Sequence, residues 1–477
     1  MKNKIQKLSI LSLLVFQAML PACSAGAKSQ KENNTLLKVS PQIVAKASLS
    51  QSKILQGSDG LVYLQVELEA PAKANNALNT SRRPTDFVVI LDRSGSMAAA
   101  KKMEYAQQAL KTLVQQLSAE DRFGLVTFDD SAEITHSLDY VNRHNKAFIQ
   151  QKIAGINPRG NTNISGGISA AIQMIQSSAA PYRSERIILI SDGLANRGIT
   201  DPQALAALVS QSNASEGLHS SSGTFALSSI GVGLDFNEYL LSNLADRGQG
   251  SYYYLQNPST MYNILAQEFR GASEIYASNL QIQLDLPPDI SLIDASGYPL
   301  QRQGNRYTVL PGHLYQKQKK ILYFTLALPS VYTYPSRPLG NVDLSFNVQG
   351  NFYQVPLIHS DLYVACLPAS QSYEAKESIN SKVYEEAWTK NNYGRALQDS
   401  ARKISEGDQQ GAAQVMQKYR AKASEANAVA PSGAIQSRMN EAAKTTQDME
   451  KAFSSPSPEA SKSLGKDFHY KGIQDQR

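Results

Sequence analysis

The chain is short of cysteine, of tryptophan, of net charge and of long apolar runs, and each shortage removes a class of protein. Two cysteines in 477 residues, Cys23 and Cys366, exclude a disulfide framework. The formal charge of +6 falls to about +3 if Lys2, Lys4 and Lys7 leave with an N-terminal leader, too small an excess to argue for nucleic acid. Beyond Cys23 no stretch is apolar enough to span a bilayer, so the chain by itself cannot conduct ions, and any membrane attachment is N-terminal. The six histidines, at 136, 144, 219, 313, 359 and 469, are scattered and read as surface or loop residues. There is no His-Glu-x-x-His, no phosphate-binding glycine loop with lysine and no Gly-x-Ser-x-Gly, and Gly231-Val232-Gly233 lacks the third glycine of a dinucleotide fingerprint. The enzyme classes those motifs mark lose their support.

What is present begins with a leader. Residues 1–22 join three lysines to an apolar run from Leu8 to Leu20, the pattern of a secretory signal peptide. Leu20-Pro21-Ala22-Cys23 resembles a bacterial lipobox, with Pro21 an unusual occupant. That resemblance implies cleavage before Cys23 and lipid on its sulfur and amine. Plain secretion with cleavage near Ala25 or Ala27, or an uncleaved anchor, are the alternatives. Ser24 after the cysteine resembles lipoproteins sorted outward, which places the chain in a bacterial cell envelope, at the outer membrane if the host has one. Cys366, the thiol then left over, is expected to be buried in a strand.

Residues 23–38 are small and polar and read as a tether. Residues 39–83 hold a hairpin signal, Leu61-Val62-Tyr63-Leu64-Gln65-Val66-Glu67-Leu68 on one side of Gly57-Ser58-Asp59-Gly60, and then a connector. A lone hairpin buries no core, so its strands must join a sheet elsewhere. From 84 to 272 short apolar runs alternate with helical periodicity, the mark of an α/β unit with a mostly parallel sheet. The strands fall at 87–91, 123–128, 186–191, 225–231 and 251–255, with an edge strand at 133–138; helices fill 103–117, 164–175, 202–210, 236–245 and 258–269. Tyr252-Tyr253-Tyr254 would alternate between core and surface. Period-two alternation returns over 273–369 and predicts a β-sandwich that the early hairpin completes, with the α/β unit inserted between its parts. The region 370–477 reads as helical at 378–405 and 411–426, with a hairpin about Glu406-Gly407-Asp408, and as disordered around the Ser-Pro stretch 454–460.

The chemistry gathers at the carboxyl end of the parallel sheet, the rim where open α/β sheets bind ligands. Asp92-Arg93-Ser94-Gly95-Ser96 follows the strand 87–91, Gly160-Asn161-Thr162-Asn163 opens a helix, and Ser191-Asp192-Gly193 ends another strand. Carboxylates and hydroxyls are hard donors that select Mg²⁺, Ca²⁺ or Mn²⁺ over zinc. The plainer alternative is that Asp92, Ser94 and Thr162 only cap helices.

These three segments resemble the metal-ion-dependent adhesion site of the von Willebrand factor A (VWA) family, an Asp-x-Ser-x-Ser run with a Thr and an Asp from two later loops. All five positions match: Asp92, Ser94, Ser96, Thr162 and Asp192. The flanking regions resemble bacterial calcium-activated chloride channel-like proteins and relatives of the inter-alpha-trypsin inhibitor heavy chain. The resemblance implies that the serine hydroxyls coordinate a divalent cation, Mg²⁺ suiting the geometry best, while Thr and Asp act directly or through water. One position stays open, which an acidic side chain of a partner protein completes. The expected function is partner binding rather than catalysis. The alternatives are a scaffold whose sandwich and tail carry the contacts around a structural ion and, with least support, a metal-dependent hydrolase, since no general base stands beside the site. Partner identity and oligomeric state are not legible.

Overall fold

The structure is a computed structural model, and it describes residues 35–39, 43–71, 83–178, 180, 183–214, 225–455 and 457–477. Cys23 and the leader expected before it lie outside these residues. The described chain opens with strands β1 (Thr35–Val39), β2 (Val44–Leu49), β3 (Lys53–Leu55) and β4 (Leu61–Glu69). β2 and β4 pair antiparallel as the hairpin signal predicts. Their connection is no tight turn, because β3 leaves it to join another sheet.

The α/β unit follows. Its strands are β5 (Thr85–Asp92), β6 (Arg122–Phe128), β7 (Ala132–Tyr140), β8 (Ser184–Ser191), β9 (Ala226–Val232) and β10 (Gln249–Leu255), interleaved with α1 (Lys102–Gln116), α2 (Lys146–Ala154), α3 (Ile164–Gln176), α4 (Pro202–Ala214), α5 (Glu238–Arg247) and α6 (Met261–Ser273). The sheet order is β10-β9-β8-β5-β6-β7, parallel except for the antiparallel edge strand β7. Strand β5 lies at the centre and is buried on both faces, which is why it reads as one apolar run. Phe87, Val89 and Leu91 pack with Leu110 and Leu113 of α1 and Phe269 of α6. Val88 and Ile90 pack on the other face with Ile168 and Ile172 of α3. From β5 the chain moves outward through β6 in one direction and later returns to β8 on the other side. The loops after β5 and β8 therefore diverge, and the crevice between them is the switch point at which such sheets bind ligands.

The remaining strands are β11 (Ile275–Asp285), β12 (Ser291–Ala295), β13 (Gln301–Gln303), β14 (Arg306–Tyr315), β15 (Lys319–Ala327), β16 (Tyr334–Pro338), β17 (Asn341–Val348), β18 (Asn351–His359) and β19 (Tyr363–Leu367). They form two five-stranded sheets, β1-β2-β4-β15-β12 and β13-β14-β11-β17-β18, with a small sheet β16-β19-β3. β4 pairs with β15 over its whole length, from Leu61 opposite Ala327 to Glu69 opposite Lys319. One apolar core joins residues before the α/β unit, such as Leu64 and Val66, to residues after it, such as Leu322 and Phe324. Cys366 sits in β19, buried, and burial pushes its thiol pKa up.

The C-terminal region departs from expectation. Besides α7 (Ser372–Glu377), α8 (Ser381–Ser405) and α9 (Gln409–Val429), it contains α10 (Gly433–Phe453) and α11 (Pro458–Gln476). Disorder at 454–460 is wrong for 458–460: Ser457 accepts from Glu459 N and Pro458 takes the first helical position, so the Ser-Pro pair is a helix start. Helix α10 buries only Ile435, Ala442, Thr445 and Met449, an apolar stripe too thin to announce itself. No helix of the described residues is long and apolar enough to cross a membrane.

Helix α8 docks on the sandwich, where Asn391 Nδ2 donates to Thr325 Oγ1 (3.1 Å) and the Tyr323 hydroxyl to Glu386 (2.7 Å). Helix α11 reaches back to the α/β unit. Lys466 Nζ donates to Glu238 Oε2 and to the Phe236 carbonyl (both 2.7 Å), Arg477 pairs with Asp246 (2.6 Å), and the His469 ring meets the Ser242 hydroxyl (3.1 Å). This helix corrects two expectations. The three consecutive tyrosines are all buried, Tyr252 packing edge-on against His469 and Tyr470. His469 is buried too, as are His136 in β7 and His313 in β14.

Burial pushes the His469 pKa from 6.5 down to about 4; Glu238 opposes this while Lys466 and Arg477 add to it. The unfolded chain therefore takes up a proton between these values that the folded chain refuses, and stability is lost as pH falls below about 6.5. The loss is expected to reach about 2.5 kcal/mol near pH 4.5. Urea unfolding of the native chain and of His469→Gln at neutral and acid pH tests this. The variant should lose correspondingly less stability on acidification, and equal losses would contradict the assignment.

Candidate functional site

Strand β5 ends in Asp92, fully buried, whose Oδ1 accepts the Ser94 backbone N–H (2.8 Å) and whose Oδ2 accepts the Ser191 hydroxyl (2.6 Å). Ser94 Oγ lies 3.1 Å from Ser96 Oγ, and Ser96 Oγ donates to Asp192 Oδ1 (2.7 Å). Four of the five expected residues thus form one hydrogen-bonded chain across the crevice. Thr162 stands beside it: a Cβ on Gly193 would lie 3.2 Å from Thr162 Oγ1 and 3.7 Å from Ser96 Oγ. Only glycine leaves these hydroxyls so close to the backbone after Asp192. Asp92, Ser94, Thr162 and Asp192 are buried, while Ser96 is exposed, so the donors are closed below and open on one side.

The loops are also tied to one another. Arg93 N donates to Phe128 O (2.9 Å), Arg159 N to Arg93 O (2.6 Å), Asn163 N to Asp129 O (2.9 Å) and Gly95 N to Gly160 O (3.2 Å). Asn196 Oδ1 accepts Thr162 N (2.8 Å), and Asn196 N donates back to Thr162 O (3.1 Å). Capping does not account for these residues. The cap of α3 is Asn163, whose side chain accepts Gly166 N, and the residue before α1 is Lys101, which makes no side-chain cap.

Burial pushes the Asp92 pKa from 3.8 up to about 6, against the hydrogen bonds from Ser191 and Ser94 that pull it down. A buried carboxylate held against that cost is suited to a positive counter-charge. Among the described residues no three His, Cys, Asp or Glu side chains cluster as a metal site. The five expected residues bring two carboxylates and three hydroxyls, oxygen throughout and low in charge.

Two groups escaped the sequence reading. Arg93 donates to Asp129 (2.9 Å) and pairs with Glu133 (2.8 Å), while Arg159 also donates to Asp129 (2.7 Å), bracing the loop after β6 against the site. Lys102 Nζ donates to Asp192 Oδ2 at 2.6 Å in a buried ion pair. In sequence Lys102 is one more lysine at a helix start, with nothing to signal burial.

A family model for the von Willebrand factor type A domain matches residues 87–194, from β5 through the loop that follows β8. This chain carries a VWA domain. Such domains typically mediate protein–protein interaction. Among curated relatives, the uncharacterized protein YfbK of Escherichia coli (strain K12) is 28% identical over 226 residues, 47% of this chain and 37% of its own length. The uncharacterized protein sll0103 of Synechocystis is 26% identical, covering 74% of this chain and 81% of its own length. The inter alpha-trypsin inhibitor heavy chain 4 of Mus musculus is 26% identical, covering 58% of this chain but only 31% of its own length. The chain thus spans little more than a third of YfbK and less than a third of the mouse heavy chain. Its fold is shared with the von Willebrand factor type A structure from Catenulispora acidiphila, at a TM-score of 0.62 and 16% identity, covering 88% of this chain and 91% of that one.

Proposed function

We propose that the chain binds a partner protein through a divalent cation held by Asp92, Ser94, Ser96, Thr162 and Asp192. The observation that carries this reading is the convergence of five oxygen-bearing side chains from three loops at the sheet's switch point, closed below and open at Ser96. The two carboxylates in reach neutralise a dication there without filling its coordination shell, and an Asp or Glu of a partner at the open side completes that shell. Mg²⁺ suits the site because it tolerates retained water and binds through one or two carboxylates; Ca²⁺ and Mn²⁺ share the donor preference. Acylation at Cys23 would hold the chain at a bacterial envelope membrane facing outward.

Cross-linking capture from membranes, with and without chelator, tests the reading. The native chain, unlike Cys23→Ser, is expected in the membrane fraction, and its partner is expected to be lost on chelation and regained with Mg²⁺. A partner retained regardless of chelator and by an Asp92→Ala chain would favour the scaffold reading instead. That alternative has its own observation: Val331 and Tyr332, at 84% and 53% exposure, project from the sandwich.

A further inference from the structure

We infer that Lys102 is a tethered competitor for the cation, neutralising Asp192 so that the site takes up a dication weakly. The inference rests on the proposed metal reading.

The placement of Lys102 is built from two sides. Ala100 and Lys101, at φ of 52° and 57°, adopt left-handed backbone directly before α1, an unfavourable conformation for residues with a side chain. The Lys102 side chain, 9% exposed, then runs to Asp192, which is fully buried. From the opposite side Gly233, at φ +79° after β9, leaves the space the ammonium uses, since a Cβ there would stand 3.1 Å from Lys102 Cε and 3.3 Å from Nζ. A residue at the start of a helix could point to solvent; this one is steered into the crevice by two separate loops.

The charges around the site decide what that does. Arg93 and Arg159 are matched by Asp129 and Glu133. What remains is Asp92, Asp192 and Lys102, a sum of −1. A dication raises it to +1, and a partner carboxylate brings it to zero. Without Lys102 the same steps run from −2 to 0 and then to −1. The lysine therefore moves favourable electrostatics from ion uptake to carboxylate capture, and it does so in a buried place where solvent screens little.

Calorimetric titration of Mg²⁺ into the chelated full-length chain tests this. Lys102→Gln, which keeps an N–H donor to Asp192 but removes the charge, is expected to bind Mg²⁺ about tenfold or more tighter than the native chain. Lys102→Arg, which keeps the charge, should stay near the native affinity, a rescue that a merely structural lysine would not produce. Equal affinities for the native chain and Lys102→Gln overturn the inference while leaving the metal site intact. Heat absent from the native chain and from both Lys102 variants sinks the metal reading itself. Should Lys102→Gln fail to fold, Lys102→Met, an uncharged side chain of similar reach, decides the matter: tighter Mg²⁺ binding supports the competitor role, and unchanged binding ends it.

Discussion

An Asp92→Ala chain is expected to fold, and to gain no thermal stability when Mg²⁺ is restored after chelation, whereas the native chain gains several degrees. Saturation of a single site at about a hundred times its dissociation constant stabilises a native state by about 2.7 kcal/mol. Without metal the substitution has two opposing effects. It strands the Ser94 N–H and the Ser191 hydroxyl, which Asp92 accepts, and it removes a carboxylate that burial disfavours. The metal-free variant should therefore lie within about 1–2 kcal/mol of the native chain. The sign of the pH dependence follows from the raised pKa. In the metal-free fold this group contributes stability at acid pH that is lost as pH rises from about 4 through about 6. Mg²⁺ opposes that loss by favouring the carboxylate, so its stabilisation should fade as pH falls through about 6. Scanning calorimetry across pH, with and without Mg²⁺, measures both effects. An Asp92→Ala chain that keeps the native Mg²⁺ shift would remove Asp92 from the donor set.

The second large effect lies at the other end of the same strand. Asp86, 1% exposed, accepts from Arg122 Nε (2.7 Å) and Arg183 Nε (2.6 Å), and Arg122 reaches its second oxygen as well. Asp86→Ala leaves two nearly buried guanidinium groups without their shared carboxylate; among the described residues the carbonyls of Ser178, Thr85 and Glu120 also accept from them. Breaking a buried pair from one side costs about 3–5 kcal/mol, and two cations are stranded here. The variant is expected to lose at least that much in urea unfolding, while any Mg²⁺ increment persists in the molecules that fold. A loss below about 1 kcal/mol would show that the arginines find other acceptors. Two aspartates six positions apart on one strand thus have separate surroundings, a pair of arginines at the amino end and the proposed donor set at the carboxyl end.

Much of the fold was legible because its causes are local. A strand buried on both faces must be apolar throughout, so β5, β6 and β8 announce themselves, and α3 and α6 follow from helical spacing against that sheet. The return of period-two alternation after the α/β unit, with a strand pair left over before it, implied the shared sandwich that β4 and β15 make. Helices α10 and α11 were missed because their buried positions make no clear apolar stripe: α10 buries only Ile435, Ala442, Thr445 and Met449, and α11 buries Lys466, His469 and Gln476 beside Phe468 and Ile473.

The five residues of the proposed site were picked out in the sequence by resemblance to the family motif, and their place directly after apolar strands and at a helix start brings them to one rim of a parallel sheet. Which charges join them was decided only by the tertiary structure. Lys102 meets Asp192 across 90 positions, and Lys466 meets Glu238 across 228. Such pairs leave no periodic trace, because nothing in the local spacing of a lysine says whether its ammonium ends in water or against a buried carboxylate. The cost of desolvating a charge makes water the default, and only packing from distant segments overturns it.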